Sequence, residues 1–233
     1  MITVVGEALI DLVISPDGAV DATLGGAPYN TARACGRLGV DTRFVGALSV
    51  DRFGEQLVEQ LLADRVDVSA APRVEQPTTL AAAALDDSGV ATYRFYIDGT
   101  SAPQLTAVPA GRPGDVLFTG GLGLLLEPMA TTVEAALAEP VADRIVVVDL
   151  NCRPLIIPDR EAYVGRVERV VASGDVVKVS DEDLAYLAPD EQPVEAARRL
   201  LDRGPVAVLM TSGGEGVHVI TVDGHQQVPV EPV

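Results

Sequence analysis

The sequence is poor in cysteine, histidine and lysine, and each shortage removes a class of chemistry. Its 233 residues hold two cysteines, Cys35 and Cys152, and two histidines, His218 and His225. They form no CxxC pair and no metal-ligand spacing, so no zinc site is expected. The two thiols can pair in principle; reduced cytosolic thiols are the expectation. Lys178 is the only lysine among 17 basic residues, and it follows Val177. A P-loop needs its lysine after glycine, so that chemistry is excluded. Positive charge as a whole is scarce: 34 acidic residues against 17 basic ones leave a net charge of −17. That balance argues against nucleic acid or an anionic membrane as partner. No apolar run approaches the roughly 20 residues that span a bilayer. Glu7 comes too early for the apolar core of a signal peptide. A soluble, cytoplasmic protein is expected.

What the chain does have is apolar residues, 48% of the total, enough to bury the core of one α/β domain with a small appendage. Short β-rich runs alternate with amphipathic stretches. Strands are predicted at Ile2–Gly6, Thr42–Ala47, Asp115–Thr119, Arg144–Leu150, Val176–Val179 and Val206–Thr211. Helices are predicted at Pro28–Leu38, Phe53–Ala63, Pro128–Ala138, Arg160–Ala172 and Pro193–Arg203. In the second of these, Phe53, Leu57, Leu61 and Leu62 are expected on one face. The alternation implies a mainly parallel sheet with helices on both faces. Two segments, about 12–24 and 74–98, break it with short strands around the turns Pro16-Asp17-Gly18 and Asp86–Gly89. They read as a small β-sheet, of a kind that fits a lid.

Five short segments carry candidate chemistry, four of them at the carboxyl ends of predicted parallel strands, where open α/β sheets bind ligands. In Gly6-Glu7-Ala8-Leu9-Ile10-Asp11, a carboxylate at the exit of the opening strand can accept hydrogen bonds from two sugar hydroxyls; a solvated loop acid is the plainer alternative. Gly25-Gly26-Ala27-Pro28-Tyr29-Asn30 lets the backbone approach a ligand closely, with Asn30 on the first helical turn. In Asp149-Leu150-Asn151-Cys152-Arg153-Pro154, strand alternation sends Asp149, Asn151 and Arg153 the same way, and arginine offers a donor fork matched to phosphate. The acids of Lys178-Val179-Ser180-Asp181-Glu182-Asp183 suit both Mg²⁺ held through water and a helix N-terminus. Thr211-Ser212-Gly213-Gly214-Glu215-Gly216 is a glycine-rich turn between strands.

In order and placement these segments resemble the ribokinase or PfkB carbohydrate kinases along essentially the whole chain, nearest the fructokinase-like branch. The matching elements are GExLxD, GGAPxN with the ARxxxRLG helix after it, VGxLxxDxFG at Val45–Gly54, DxNxR, KxSxxE and TxGxxG. Asp183 stands where KxSxxE has glutamate.

The resemblance implies a ribokinase-like α/β fold and an ATP-dependent, Mg²⁺-assisted transfer of phosphate to a sugar hydroxyl. It implies that Asp11 and Asn30 hold the sugar above Gly25 and Gly26, with Tyr96 touching it from the lid. Arg153 would stand where sugar and phosphoryl group meet. Lys178, Ser180 and Asp183 would lie near the nucleotide phosphates, and Thr211, Gly213 and Gly216 beside the nucleoside. A homodimer through the lid is implied too. The family's DTxGAGD motif, whose aspartate is the base, is expected just past Val233. The C-terminal part of the fold, catalytic base included, is therefore expected to be missing from these 233 residues, which should be inactive alone. A nucleoside kinase of the same fold and a non-catalytic sugar-binding module are the alternatives.

Overall fold

The computed structural model describes residues 1–230; the glycine-rich turn expected beyond Val233 lies outside them. The chain opens with β1 (Ile2–Val5), β2 (Leu9–Ile14), β3 (Val20–Gly25) and α1 (Ala27–Arg37). Next come β4 (Thr42–Val45), β5 (Leu48–Ser49), α2 (Arg52–Ala63), β6 (Arg73–Val74), β7 (Leu80–Leu85) and β8 (Ala91–Tyr96). The second half runs β9 (Val116–Gly120), α3 (Met129–Ala138), β10 (Ile145–Asp149), α4 (Arg160–Ala172) and β11 (Val176–Ser180). It finishes with α5 (Asp181–Leu187), α6 (Pro193–Leu201), β12 (Ala207–Thr211), β13 (Val217–Thr221) and β14 (Gly224–Val228).

The main sheet has the order β14-β13-β12-β11-β10-β9-β1-β4, parallel from β4 to β12 and antiparallel at β13 and β14. Successive strand residues point to opposite faces, and the sequence uses this to build two cores. Val5, Leu117, Val146, Val148, Val177, Val179, Val208 and Met210 bury one face under α3, α4, α5 and α6. Val4 and Phe44 bury the other under α1 and α2, through Tyr29, Ala32, Leu57 and Leu61. Replacing a side chain as buried as Leu61 with alanine costs about 2–5 kcal/mol. The predicted helical face is corrected at Leu62, which is 56% exposed. On the α1–α2 side of β10, β11 and β12, Val147, Val176 and Leu209 stay half-buried. Helix cover is thus complete on one face and partial on the other. None of the described helices is long and apolar enough to cross a membrane.

A separate four-stranded sheet has the order β3-β2-β7-β8, with β2 and β7 parallel and the outer pairs antiparallel. Asp51 joins it to the main body. Its carboxylate caps α2 by accepting the Gly54 N–H at 2.8 Å. It also accepts the Thr78 N–H at 2.7 Å and the Thr78 hydroxyl at 2.6 Å. One side chain therefore sets both the start of a helix and the approach to β7.

Candidate active site

A cavity of about 600 Å³ opens where the small sheet meets the carboxyl ends of β1, β9 and β10. The small sheet contributes Leu9 and Asp11 from β2, Ala81 from β7, and Tyr93 and Phe95 from β8. The main body contributes Glu7, Gly26, Ala27, Asn30, Gly121, Leu122, the segment Asn151 to Leu155, and Glu182. Asp11, Gly26, Asn30 and Arg153, separated by up to 142 positions in sequence (153 − 11), thus line one space.

The route to that arrangement differs from the expected one at three points. Asp11 is not at the exit of β1; the chain turns at Gly6 and Asp11 lies inside β2, opposite Thr23. Burial raises its carboxyl above the ordinary aspartate range, and the charge of Arg153 partly offsets this. Asn151 has φ +36, so the alternation of β10 ends before Arg153. The arginine instead folds back to donate to Asn151 Oδ1 at 2.6 Å and to the Cys152 carbonyl at 2.9 Å. Tyr96 does not line the cavity and is 50% exposed. Strand alternation puts Tyr93 and Phe95 on the cavity side and Tyr96 on the opposite face.

The double glycine is a matter of space. A Cβ on Gly25 would sit 1.9 Å from Asp11 Oδ2, and one on Gly26 (φ +108) would sit 2.7 Å from the Glu7 carbonyl oxygen. Any side chain at Gly25 would push Asp11 out of place, so that glycine acts beneath the cavity wall rather than as part of it.

The second group of expected residues gathers elsewhere. Asp149 pairs with Lys178 across β10 and β11, and Ser180 pairs with Thr211 across β11 and β12. The registers set all four on the partly covered face of the main sheet. Lys178 Nζ lies 3.1 Å from Asp149 Oδ1, yet that oxygen has no hydrogen-bond partner in favourable geometry. Burial raises the Asp149 carboxyl and the lysine charge counters part of that rise.

Ser180 and Asp183, expected near the nucleotide phosphates, make hydrogen bonds within the protein. They form the capping box of α5. Asp183 Oδ2 accepts the Ser180 N–H at 3.0 Å and hydroxyl at 2.7 Å, and Oδ1 accepts the Cys152 N–H at 2.7 Å. Asp183 therefore anchors the loop that carries Arg153, and its neighbour Glu182 reaches the cavity. Thr211 ends β12. Gly213 (φ +46) has open space around it, whereas a Cβ on Gly216 (φ +103) would meet the Val228 carbonyl oxygen at 2.1 Å. Gly216 thus serves the turn against β14. No group of three or more His, Cys, Asp or Glu placed to hold a metal ion occurs among the described residues.

Sequence reasoning did not place Glu7, Gly121, Tyr93, Phe95 or Glu182 at this cavity. Glu7 had a visible signal: an acid between Gly6 and the apolar Ala8-Leu9-Ile10 has few ways to stay in water. It is 3% exposed and accepts the N–H groups of Ala27 at 3.2 Å and Gly123 at 3.3 Å. Burial pushes its carboxyl up to about 8, against the pull of those N–H groups and of Arg153. Arg153 is the only lysine or arginine lining the cavity among the described residues; Glu7, Asp11 and Glu182 line it too.

A family profile described as pfkB family carbohydrate kinase matches residues 1–233. A fructokinase of Rhizobium leguminosarum bv. trifolii is 37% identical over 245 residues, covering 100% of this chain and 73% of the relative. A fructokinase of Klebsiella pneumoniae is 31% identical over 238 residues, covering 100% of this chain and 77% of the relative. Among solved structures, the fructokinase of Vibrio cholerae O395 in its fructose-, ADP- and calcium-bound form has a TM-score of 0.87 at 25% identity. That match covers 99% of this chain and 77% of the other.

Proposed function

Because the chain belongs to the pfkB family of carbohydrate kinases, we propose that the cavity binds fructose or a ketose of similar shape, for phosphorylation by ATP. Its fold is the ribokinase-like α/β fold, with a mainly parallel sheet and a small second sheet. The observation that carries the substrate reading is the convergence of Asp11, Asn30 and Arg153 on one cavity with the aromatic rings of Tyr93 and Phe95. The Rhizobium and Klebsiella relatives, both fructokinases, support it.

In this reading Asp11 accepts hydrogen bonds from two sugar hydroxyls and Asn30 orients a third. Gly26 lets the sugar approach the floor, and the rings pack against its carbon face. The small sheet covers the sugar as a lid and offers a pairing surface for a homodimer. Arg153 stands at the mouth, where its guanidinium can meet charge on a transferred group. ATP, when bound, supplies the phosphoryl group. Lys178, Thr211 and Gly213 would meet it on the partly covered face. The fit there is partial, since Lys178 is already paired with Asp149. Mg²⁺ would come with the nucleotide phosphates, which need only one or two protein carboxylates.

Phosphoryl transfer rests on positioning and charge stabilisation. The 233 residues contain no Gly-Ala-Gly-Asp run, the glycine-rich turn whose aspartate is the base expected from the family resemblance. The proposed activity of this chain is therefore sugar binding without turnover. Calorimetric titration of fructose into the chain tests the binding. Heat of binding lost in Asp11→Ala supports the reading; the same isotherm for both proteins overturns it.

A further inference from the structure

Glu7 is a buried acid that the proposed chemistry does not use. Its surroundings come from three separate segments. It follows β1 directly; its Oε1 accepts the N–H of Ala27, the first residue of α1; its Oε2 accepts the N–H of Gly123, beyond β9. No lysine or arginine forms an ion pair with it among the described residues. The packing is close on the second side: a Cβ on Gly121 (φ +58) would sit 2.7 Å from Oε1. Gly121 is thus fitted to this carboxyl as Gly25 is to Asp11.

We propose that Glu7 is a positioning residue of the sugar pocket: its one carboxyl ties the double-glycine turn to the Gly121–Gly123 segment, and so sets the floor from which Asp11 and Asn30 act. The pocket assignment rests on the reading above; the tie between the two segments does not. A carboxylate holds two N–H donors through charge-assisted bonds, about twice as strong as neutral ones. Protonation weakens both at once. The two segments therefore respond together to one titration, although Ala27 and Gly123 are 96 residues apart (123 − 27). The other ionisable groups lining the cavity are Asp11, Tyr93, Cys152, Arg153 and Glu182. Burial raises the Asp11 carboxyl against the charge of Arg153, and burial pushes the Cys152 thiol up to about 12.

The test is amide NMR of the unliganded chain across pH 5–9, with fructose calorimetry alongside. In the wild type the Ala27 and Gly123 amide signals move with one shared midpoint near the Glu7 value of about 8. In Glu7→Gln that shared midpoint disappears while the chain stays folded. Above about pH 8, where the wild-type carboxyl is ionised, fructose binding of Glu7→Gln falls about tenfold, the worth of one hydrogen bond of ~1.4 kcal/mol. If Glu7→Gln fails to fold, Glu7→Asp, one methylene too short to reach both donors, must remove the pH response of at least one of the two amides. Amides that titrate independently, or that keep their shared midpoint in Glu7→Gln, overturn the proposal. So does wild-type fructose affinity in Glu7→Gln above about pH 8 when Asp11→Ala abolishes binding. If the wild type binds no fructose, the pocket reading fails, and the amide titration alone decides the tie.

Discussion

The two halves of the candidate site are built differently. The side proposed for the sugar is closed in by β2, β7 and β8 on one side and by the α1 N-terminus and the ends of β1, β9 and β10 on the other. Its polar groups are held by short local contacts, such as Asp11 over Gly25 and Arg153 on Asn151. The side proposed for the nucleotide consists of Lys178, Thr211 and Gly213 along the ends of β11 and β12, on the face where Val147, Val176 and Leu209 remain half-buried. There the one lysine is matched by an acid, and Ser180 and Asp183 are spent on a helix cap. The difference is one of enclosure: the groups proposed for the sugar share one cavity, whereas those proposed for the nucleotide stand along strand ends on the partly covered face.

The largest test of that contrast is turnover. With fructose and ATP–Mg²⁺, the 233-residue chain should release no ADP above background in a coupled assay. A rate of about 1 s⁻¹, the low end for kinases, would show the nucleotide side to be complete and break the comparison.

Next in size is Asp11→Ala. Hydrogen bonds to charged groups contribute about 1.5–3 kcal/mol each, so losing two should weaken fructose binding roughly 100-fold or more, read by calorimetry. Gly25→Ala should act through the same carboxylate. With a Cβ position 1.9 Å from Asp11 Oδ2, it should lower both sugar affinity and Tm. Unchanged affinity would mean that Asp11 can move without cost.

A pH effect sharpens the contrast further. Glu7 is raised from 4.5 to about 8 by burial, so between those values the folded chain holds a proton that the unfolded chain has lost. Stability from this group is fully present below about pH 4.5 and falls as pH rises through about 8. Thermal unfolding should show Tm declining over that range, and the decline should flatten in Glu7→Gln. The smallest expected effect is Thr211→Val. As a substitution outside the sugar cavity it should leave fructose affinity unchanged and shift stability by about 0.5 kcal/mol or less. A loss of fructose affinity there would join the two halves into one unit.

Much of this was legible in the chain itself. The alternation of apolar strands and amphipathic helices determined the α/β class, because residue spacing alone decides which face of an element is apolar. Helix Arg160–Ala172 was read at its observed boundaries, and the strand predicted at Val176–Val179 ends one residue later, at Ser180. The motif order placed Asp11, Asn30 and Arg153 among the ligand-binding candidates. Only the tertiary structure decided what each of them touches. Tyr96 was a reasonable aromatic in the right strand, but the parity of β8 gives the cavity to Tyr93 and Phe95. Asp183, expected near the nucleotide phosphates, also accepts a hydrogen bond from Cys152, 31 positions away. Glu7 is the clearest instance. Its residue type and its neighbours are local facts, whereas its burial and its two N–H donors come from segments 20 and 116 residues distant. Propensity and period act over one or two turns of chain; desolvation and hydrogen-bond partners are set by whatever the fold brings into contact.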